Sequence, residues 1–237
     1  MLILSIDTST TVCSVALHQG DTGALAPVTS LLGCYELFTE RTSSARLTTL
    51  IQDLVEHTGH QLSDLDAVAV AKGPGSYTGL RIGVSTAKGL CYALDKPLIA
   101  INTLEAMAAQ IRPYFTSHTL LCPMIDARRM EVYTAFYEAD GGEMRPPAAV
   151  VVEENSFSDL LAAYPIVFFG DGAAKCKPLL QYHPNALFPD LTVRPSARTV
   201  GELAVEAFGA GQFEDVALFE PFYLKDFVGT RPRTPVV

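Results

Sequence analysis

The sequence predicts an α/β protein of two stacked lobes with a cleft between them, and three observations carry that prediction. An apolar run ending in aspartate, "LILSID" at residues 2–7, has the pattern of a buried strand, and the layout returns as "LLCPMID" at 120–126. A strand that runs into a two-glycine loop and opens a helix also occurs twice, as "VAVAKGPGSY" (68–77) and "IVFFGDGAAK" (166–175). At 237 residues, 49% hydrophobic and 18% charged, the chain is long and apolar enough to bury a core in each of two duplicated units.

The elements follow in order. "TVCSVALHQGD" (11–21) is a second strand that closes on a Gly20–Asp21 turn. Residues 44–58 repeat leucine, isoleucine and valine at helical spacing, and Gly59 stops the helix. "DAVAVAKGPG" (66–75) is strand and loop, "YTGLRIGVSTAKGLCYAL" (77–94) a helix, and "PLIAIN" (97–102) another buried strand. In the second half Ile125–Asp126 mirrors Ile6–Asp7, Ala135 mirrors Ala16, and Asp140–Gly141 closes the hairpin. "SARTVGELAVEAFGAG" (196–211) is an amphipathic helix with Ser196 as its N-cap. These elements divide the chain into an N-terminal lobe (1–103), completed by residues 215–227, and a C-terminal lobe (104–214). Residues 228–237 form a loose tail.

Composition excludes several classes. With 26 acidic and 17 basic residues the net charge is −9, which argues against independent nucleic-acid binding, since phosphate contacts need clustered Lys and Arg. The cysteines, Cys13, Cys34, Cys91, Cys122 and Cys176, are scattered and form no C-x-x-C pair, as in a reduced cytosolic protein. No stretch approaches the ~18 apolar residues of a membrane span, so a cytoplasmic location is expected.

The candidate chemistry lies at the strand ends and loops. Asp7 with Thr8 and Ser9, and Asp126 in the second half, stand where a turn can face a phosphate–metal pair; an Asp in that place also simply caps the turn. Neither turn holds a glycine, and the second carries Arg128 and Arg129. Gly73, Gly75 and Ser76, with Gly170 and Gly172, form loops at helix N-termini, where free N–H groups can cradle an anion. The lysine of a Walker loop and the dinucleotide glycine spacing are missing, so turn and cap account for these residues without a ligand. The histidines (His18, His57, His60, His118, His183) are too dispersed for a metal site, and no nucleophile elbow or Cys–His pair is present.

The 77–94 helix carries a wider message. Leu80, Val84, Ala87, Cys91 and Leu94 form an apolar stripe that Gly79, Gly83 and Leu90, then Ile82 and Thr86, widen to about 200° of arc, twice that of an ordinary surface helix. Such a helix is packed on two sides. Its second neighbour is either the chain's own 44–58 helix, or a partner that meets both helices at Leu47, Leu50, Ile51, Leu54, Gly79, Ile82, Gly83, Thr86, Ala87 and Leu90.

The blocks "LILSIDTST", "KGPGSYTGLRIGVSTAKGL", "INTLEAMA", "IDARRMEVYTAFY" and "EPFYL" resemble, in order, the TsaB (YeaZ) family, from Met1 to about Leu224. The resemblance implies two RNase H-like lobes of the actin/Hsp70/sugar-kinase superfamily with a degenerate nucleotide site. It also implies a non-catalytic subunit of the machinery that makes threonylcarbamoyladenosine in tRNAs reading codons that begin with A. The partners it implies are a catalytic paralogue, TsaD, and a small ATPase, TsaE. The isolated chain would then carry no cofactor, ATP and Mg would act in the complex, tRNA would be reached indirectly, and a homodimer would form in the partner's absence. The catalytic cousins place H-x-x-x-H on the helix that reads "TSSARLTTL" here, where Ser43 stands for a histidine that many family members keep. The alternative is an independent phosphotransferase or glycoprotease-like peptidase.

Overall fold

The computed structural model describes residues 1–21, 28–38 and 43–225. Ser43's side chain and the expected tail at 228–237 lie outside the described residues. In chain order the elements are β1 (Leu2–Asp7), β2 (Cys13–Asp21), β3 (Val28–Leu37), α1 (Ser43–His57), β4 (Ala67–Gly73), α2 (Tyr77–Leu94), β5 (Leu98–Asn102) and α3 (Thr103–Ile111). The second half continues with β6 (Leu120–Asp126), β7 (Glu131–Glu138), β8 (Glu143–Val151), α4 (Ser158–Leu161), β9 (Ile166–Phe169), α5 (Ala173–Leu180), β10 (Ala186–Leu187) and α6 (Ala197–Gly209).

The duplication is visible in the topology. One sheet runs β3-β2-β1-β4-β5 and the other, read from its matching edge, runs β8-β7-β6-β9-β10. In each, the first strand pairs antiparallel with the second and parallel with the fourth. Strand β4 shows how the sequence sets the layers. Val68 and Val70 join one core with α1 and α2, while Ala67, Ala69 and Ala71 join another beneath α6, the alternation of a strand buried on both faces. The far face of the second sheet is covered by α4 and α5, and its near face by α3 through Leu104, Met107, Ala108 and Ile111.

Three expectations are corrected. Gly20 and Asp21 are not a turn, because both remain in β2, paired with Thr29 and Val28. Each hairpin is a three-stranded meander. Its third member escaped the sequence reading because β8 carries Pro146 and Pro147, which a sheet accepts on an edge strand where an N–H is dispensable. Helix α6, counted with the second lobe, lies against the first sheet: Val200, Ala204 and Val205 pack on Ile3 and the small β4 alanines. Gly201 lets it approach closely, since a side chain there would strike the His18 ring.

Candidate functional site

A cleft of 680 Å³ opens where the strand ends of the two lobes meet. The first lobe contributes the β1–β2 turn (Ser9, Thr10, Thr11) and the loop into α2; the second contributes Asp126, Arg128, Tyr133 and Asp171. Residues Phe222 to Lys225 complete the wall.

Asp7 and Asp126 occupy matching turns with opposite surroundings. Asp7 Oδ1 accepts hydrogen bonds from the Ser9 amide (2.8 Å) and hydroxyl (2.6 Å), whereas Oδ2 is buried without a partner among the described residues. Burial pushes its carboxyl up to about 6, against the pull of the Ser9 bonds, and the Glu36 charge adds to the rise. Asp7 is therefore turned into the protein and away from the cleft, contrary to the expectation that it faces it. Asp126 lines the cleft and accepts from Lys175 Nζ (2.8 Å) and the Arg128 amide (2.6 Å). Its slight burial pushes upward, but these hydrogen bonds and the Lys175 charge outweigh it and hold the carboxyl below the usual range. Asp171 accepts from the Asp126 amide (2.9 Å).

The glycine loop is filled by the chain itself. At Gly75 and Gly79 an added Cβ would strike the carbonyl oxygens of Ser9 and Thr8 respectively, and at Gly83 it would strike the Thr8 hydroxyl. The Ser76 amide donates to Ser9 O (2.6 Å), Ser76 Oγ caps α2 at the Gly79 amide (3.3 Å), and Thr8 Oγ1 donates to Gly79 O (2.7 Å). Gly73 has φ +112° and lies against the Phe222 carbonyl. Gly170, at φ +97°, and Gly172 make room in the same way for the Met124 carbonyl, which accepts from the Gly172 amide. Gly75 and Gly79 thus pack on carbonyl oxygens, which repel a phosphate, and the carboxylates that line the cleft are engaged, Asp126 with Lys175 and Asp171 with the Asp126 amide. These residues do not fit a nucleotide–magnesium pair. Among the described residues, no group of three or more His, Cys, Asp or Glu is placed to hold a metal ion.

The helix face is narrower than the sequence suggested. Leu47, Ile51, Leu54, Gly79, Gly83 and Ala87 are buried in the chain's own first core and offer a partner nothing. The glycine strip faces Thr8 and the strands beneath it, so it is internal packing. Leu50, Ile82, Thr86 and Leu90 remain half-buried at the surface, beside the exposed Gly89 and a Tyr92 that is 88% exposed. His57 ends α1, where its Nδ1 lies 2.7 Å from the Tyr35 hydroxyl.

Sequence reasoning missed Thr8 as the packing partner of α2, as well as Lys175 and Asp171, and it placed 215–227 with the first lobe without its part in the cleft wall. Thr8's contact with Gly79 spans 71 positions, and no local pattern announces it. The i, i+4 glycines did announce that some backbone comes close.

Comparison with known proteins agrees with this architecture. A family model described as TsaD, tRNA N6-adenosine threonylcarbamoyltransferase, matches residues 37–226. The tRNA threonylcarbamoyladenosine biosynthesis protein TsaB of Bacillus subtilis (strain 168) is 34% identical over 76% of both chains. Its namesake in Escherichia coli (strain K12) is 30% identical over 96% of both. The solved structure of YeaZ from Pseudomonas aeruginosa superposes with a TM-score of 0.76 at 30% identity, covering 94% of this chain and 99% of that one. Identity at this level over nearly the whole length, on the same fold, means that the chain belongs to the TsaB (YeaZ) family of tRNA threonylcarbamoyladenosine biosynthesis proteins.

Proposed function

We propose that this chain is a non-catalytic, cytoplasmic subunit that binds and positions a catalytic subunit of the TsaD type, with an ATPase of the TsaE type as a further partner. In this reading ATP and magnesium act in the complex, and tRNA is reached only through it. The observation that carries the reading is the fate of the glycine loop, whose close approaches are taken by Thr8 and Ser9. A family member with its cleft loop filled from within is suited to a scaffold role, and its useful surface is then an outer face.

That face is the half-buried ridge Ile82, Thr86 and Leu90 on α2, with Leu50 of α1 beside it. Gly89 lies on the same helix with open space around it, and Tyr92 projects beyond it. An apolar ridge of this kind is favoured by association, so the isolated chain pairs with a second copy through the same face in C2 symmetry, in competition with the catalytic subunit.

The test is Gly89→Arg. Arginine is the better helix former and nothing lies within 4 Å of the new Cβ, so the melting temperature should hold or rise. Binding to the TsaD-type subunit, followed by calorimetry, should weaken by about tenfold or more, and light scattering should show monomers. Unchanged binding by a fully folded variant would remove this face from the proposal.

A further inference from the structure

One wall of the cleft is built by a segment that arrives from the far end of the chain. After α6 the backbone runs along the edge of the first sheet, where the Glu214 amide donates to Leu98 O (2.9 Å). It then crosses α2, where Lys88 Nζ donates to the carbonyls of Ala217 (3.1 Å) and Phe219 (2.8 Å). Val216 and Phe219 pack against the first core. At the cleft the Phe222 amide donates to Lys72 O (2.8 Å), extending the end of β4, and the Phe222 carbonyl rests on Gly73, 2.7 Å from where a Cβ would stand. The Tyr223 ring lies on the Tyr77 ring, with centroids 4.8 Å apart. Lys225 finally reaches the second lobe and forms an ion pair with Glu131. Glu131 begins β7, and its own carbonyl accepts from Lys175, the partner of Asp126.

We propose that residues 219–225 act as a latch between the lobes, fastened to the first beside β4 and α2 and to the second at Glu131, and closing one wall of the interlobe cleft. The proposal goes beyond the subunit reading and does not rest on it. The segment is anchored to the first lobe by the Phe222–Lys72 backbone hydrogen bond, the Lys88 bond to the Phe219 carbonyl and a tilted aromatic pair, and to the second by one ion pair whose lysine is exposed. That asymmetry makes it releasable at the Lys225–Glu131 end. Its surface agrees with a segment held less firmly than a core element: Phe222 is 39% exposed, Tyr223 37% and the preceding Leu218 79%. Gly73 gains a purpose from this arrangement, because a side chain there would push Phe222 out of register with Lys72. Release would lift the Tyr223 ring from Tyr77 and open the cleft on that side.

Hydrogen exchange on the full-length protein tests the latch. Lys225→Glu places two carboxylates opposite each other, and Tyr223→Ala removes the stacked ring; neither side chain belongs to a core. Each variant should speed exchange by about threefold or more at residues 72–78 of the first lobe and 127–131 of the second, while β1 and β6 keep their protection. The charge-swapped pair Lys225→Glu with Glu131→Lys should restore slow exchange in both regions. Exchange that rises only within 219–225, or nowhere, would show a passive segment and overturn the proposal. Loss of protection throughout both sheets would overturn it too, since the segment would then be part of the core.

Discussion

The two halves of the molecule repeat one turn and treat it oppositely. In both, an aspartate ending the first strand accepts the amide two residues on, Ser9 for Asp7 and Arg128 for Asp126. In both, a positive-φ glycine ends the fourth strand, and a second glycine packs on the backbone around the turn. The difference lies one helical turn later. Gly79 follows Gly73 at the same spacing as Cys176 follows Gly170. The glycine lets α2 descend onto Thr8, sealing Asp7 beneath it, whereas buried Cys176 occupies the equivalent position on α5. Asp126 stays exposed and is neutralised by Lys175. The aspartate of the turn is thus a buried acid where a glycine admits the helix, and a solvated ion where a cysteine stands.

The largest expected effect comes from breaking that close approach. Gly79→Ala drives a Cβ into a backbone oxygen that cannot swing away, and the gain in helix propensity is at most about 1 kcal/mol. A net loss of about 3–4 kcal/mol in denaturant unfolding is expected, the scale of severe overpacking. Gly83→Leu should also destabilise, because it meets Thr8 and Val70 from the same side. A Gly79→Ala variant as stable as the parent would mean that the two helices sit alike on their turns.

Two buried groups of the first lobe titrate in opposite directions. Asp7 has a carboxyl at about 6 in the folded chain against 3.8 in the unfolded chain, so the unfolded state ionises first as pH rises. Stability is lost between roughly pH 4 and 6 by about 3 kcal/mol, and the loss persists above that. His18 acts in the opposite direction. Burial, aided by the Arg198 charge, holds it down to about 4 from 6.5, and neither ring nitrogen has a partner among the described residues. It withdraws stability as pH falls from 6.5 towards 4. The two slopes oppose each other in the parent. Asp7→Asn should therefore lose stability on acidification across this window, and His18→Gln should gain it, in chemical unfolding at pH 4.5 and 7. Parallel pH profiles for parent and variants would contradict the buried environments of both groups.

The smallest effect belongs to the second lobe. Asp126→Asn breaks an exposed ion pair with Lys175, and such pairs contribute about 0–1 kcal/mol. Its melting temperature should shift by no more than a few degrees, and a collapse would mean that this turn too is structural.

Much of this fold was legible in the letters. The repeat of apolar run, aspartate and glycine loop foretold two equivalent sheets, and Ser76 and Ser196 marked helix starts through their hydroxyls. The α2 stripe foretold a helix covered on two sides. What was not legible was the identity of the covering atoms. A glycine states that something comes close, and Gly79 reads alike whether that is a phosphate, a partner or Thr8. Lys175 to Asp126 and Lys225 to Glu131 join residues far apart in sequence, and charge alone gives no hint of either pair. The strands β3 and β8 escaped because edge strands lack strict alternation and, in β8, tolerate proline.

The chain's own backbone fills the loop where a nucleotide would be held. Isothermal titration of the full-length protein with Mg-ATP, at millimolar nucleotide and neutral pH, addresses it directly. No saturable heat is expected for the parent, and none for Asp7→Ala. A one-to-one isotherm in the parent that disappears in Asp7→Ala would instead show the cleft to be a working nucleotide site.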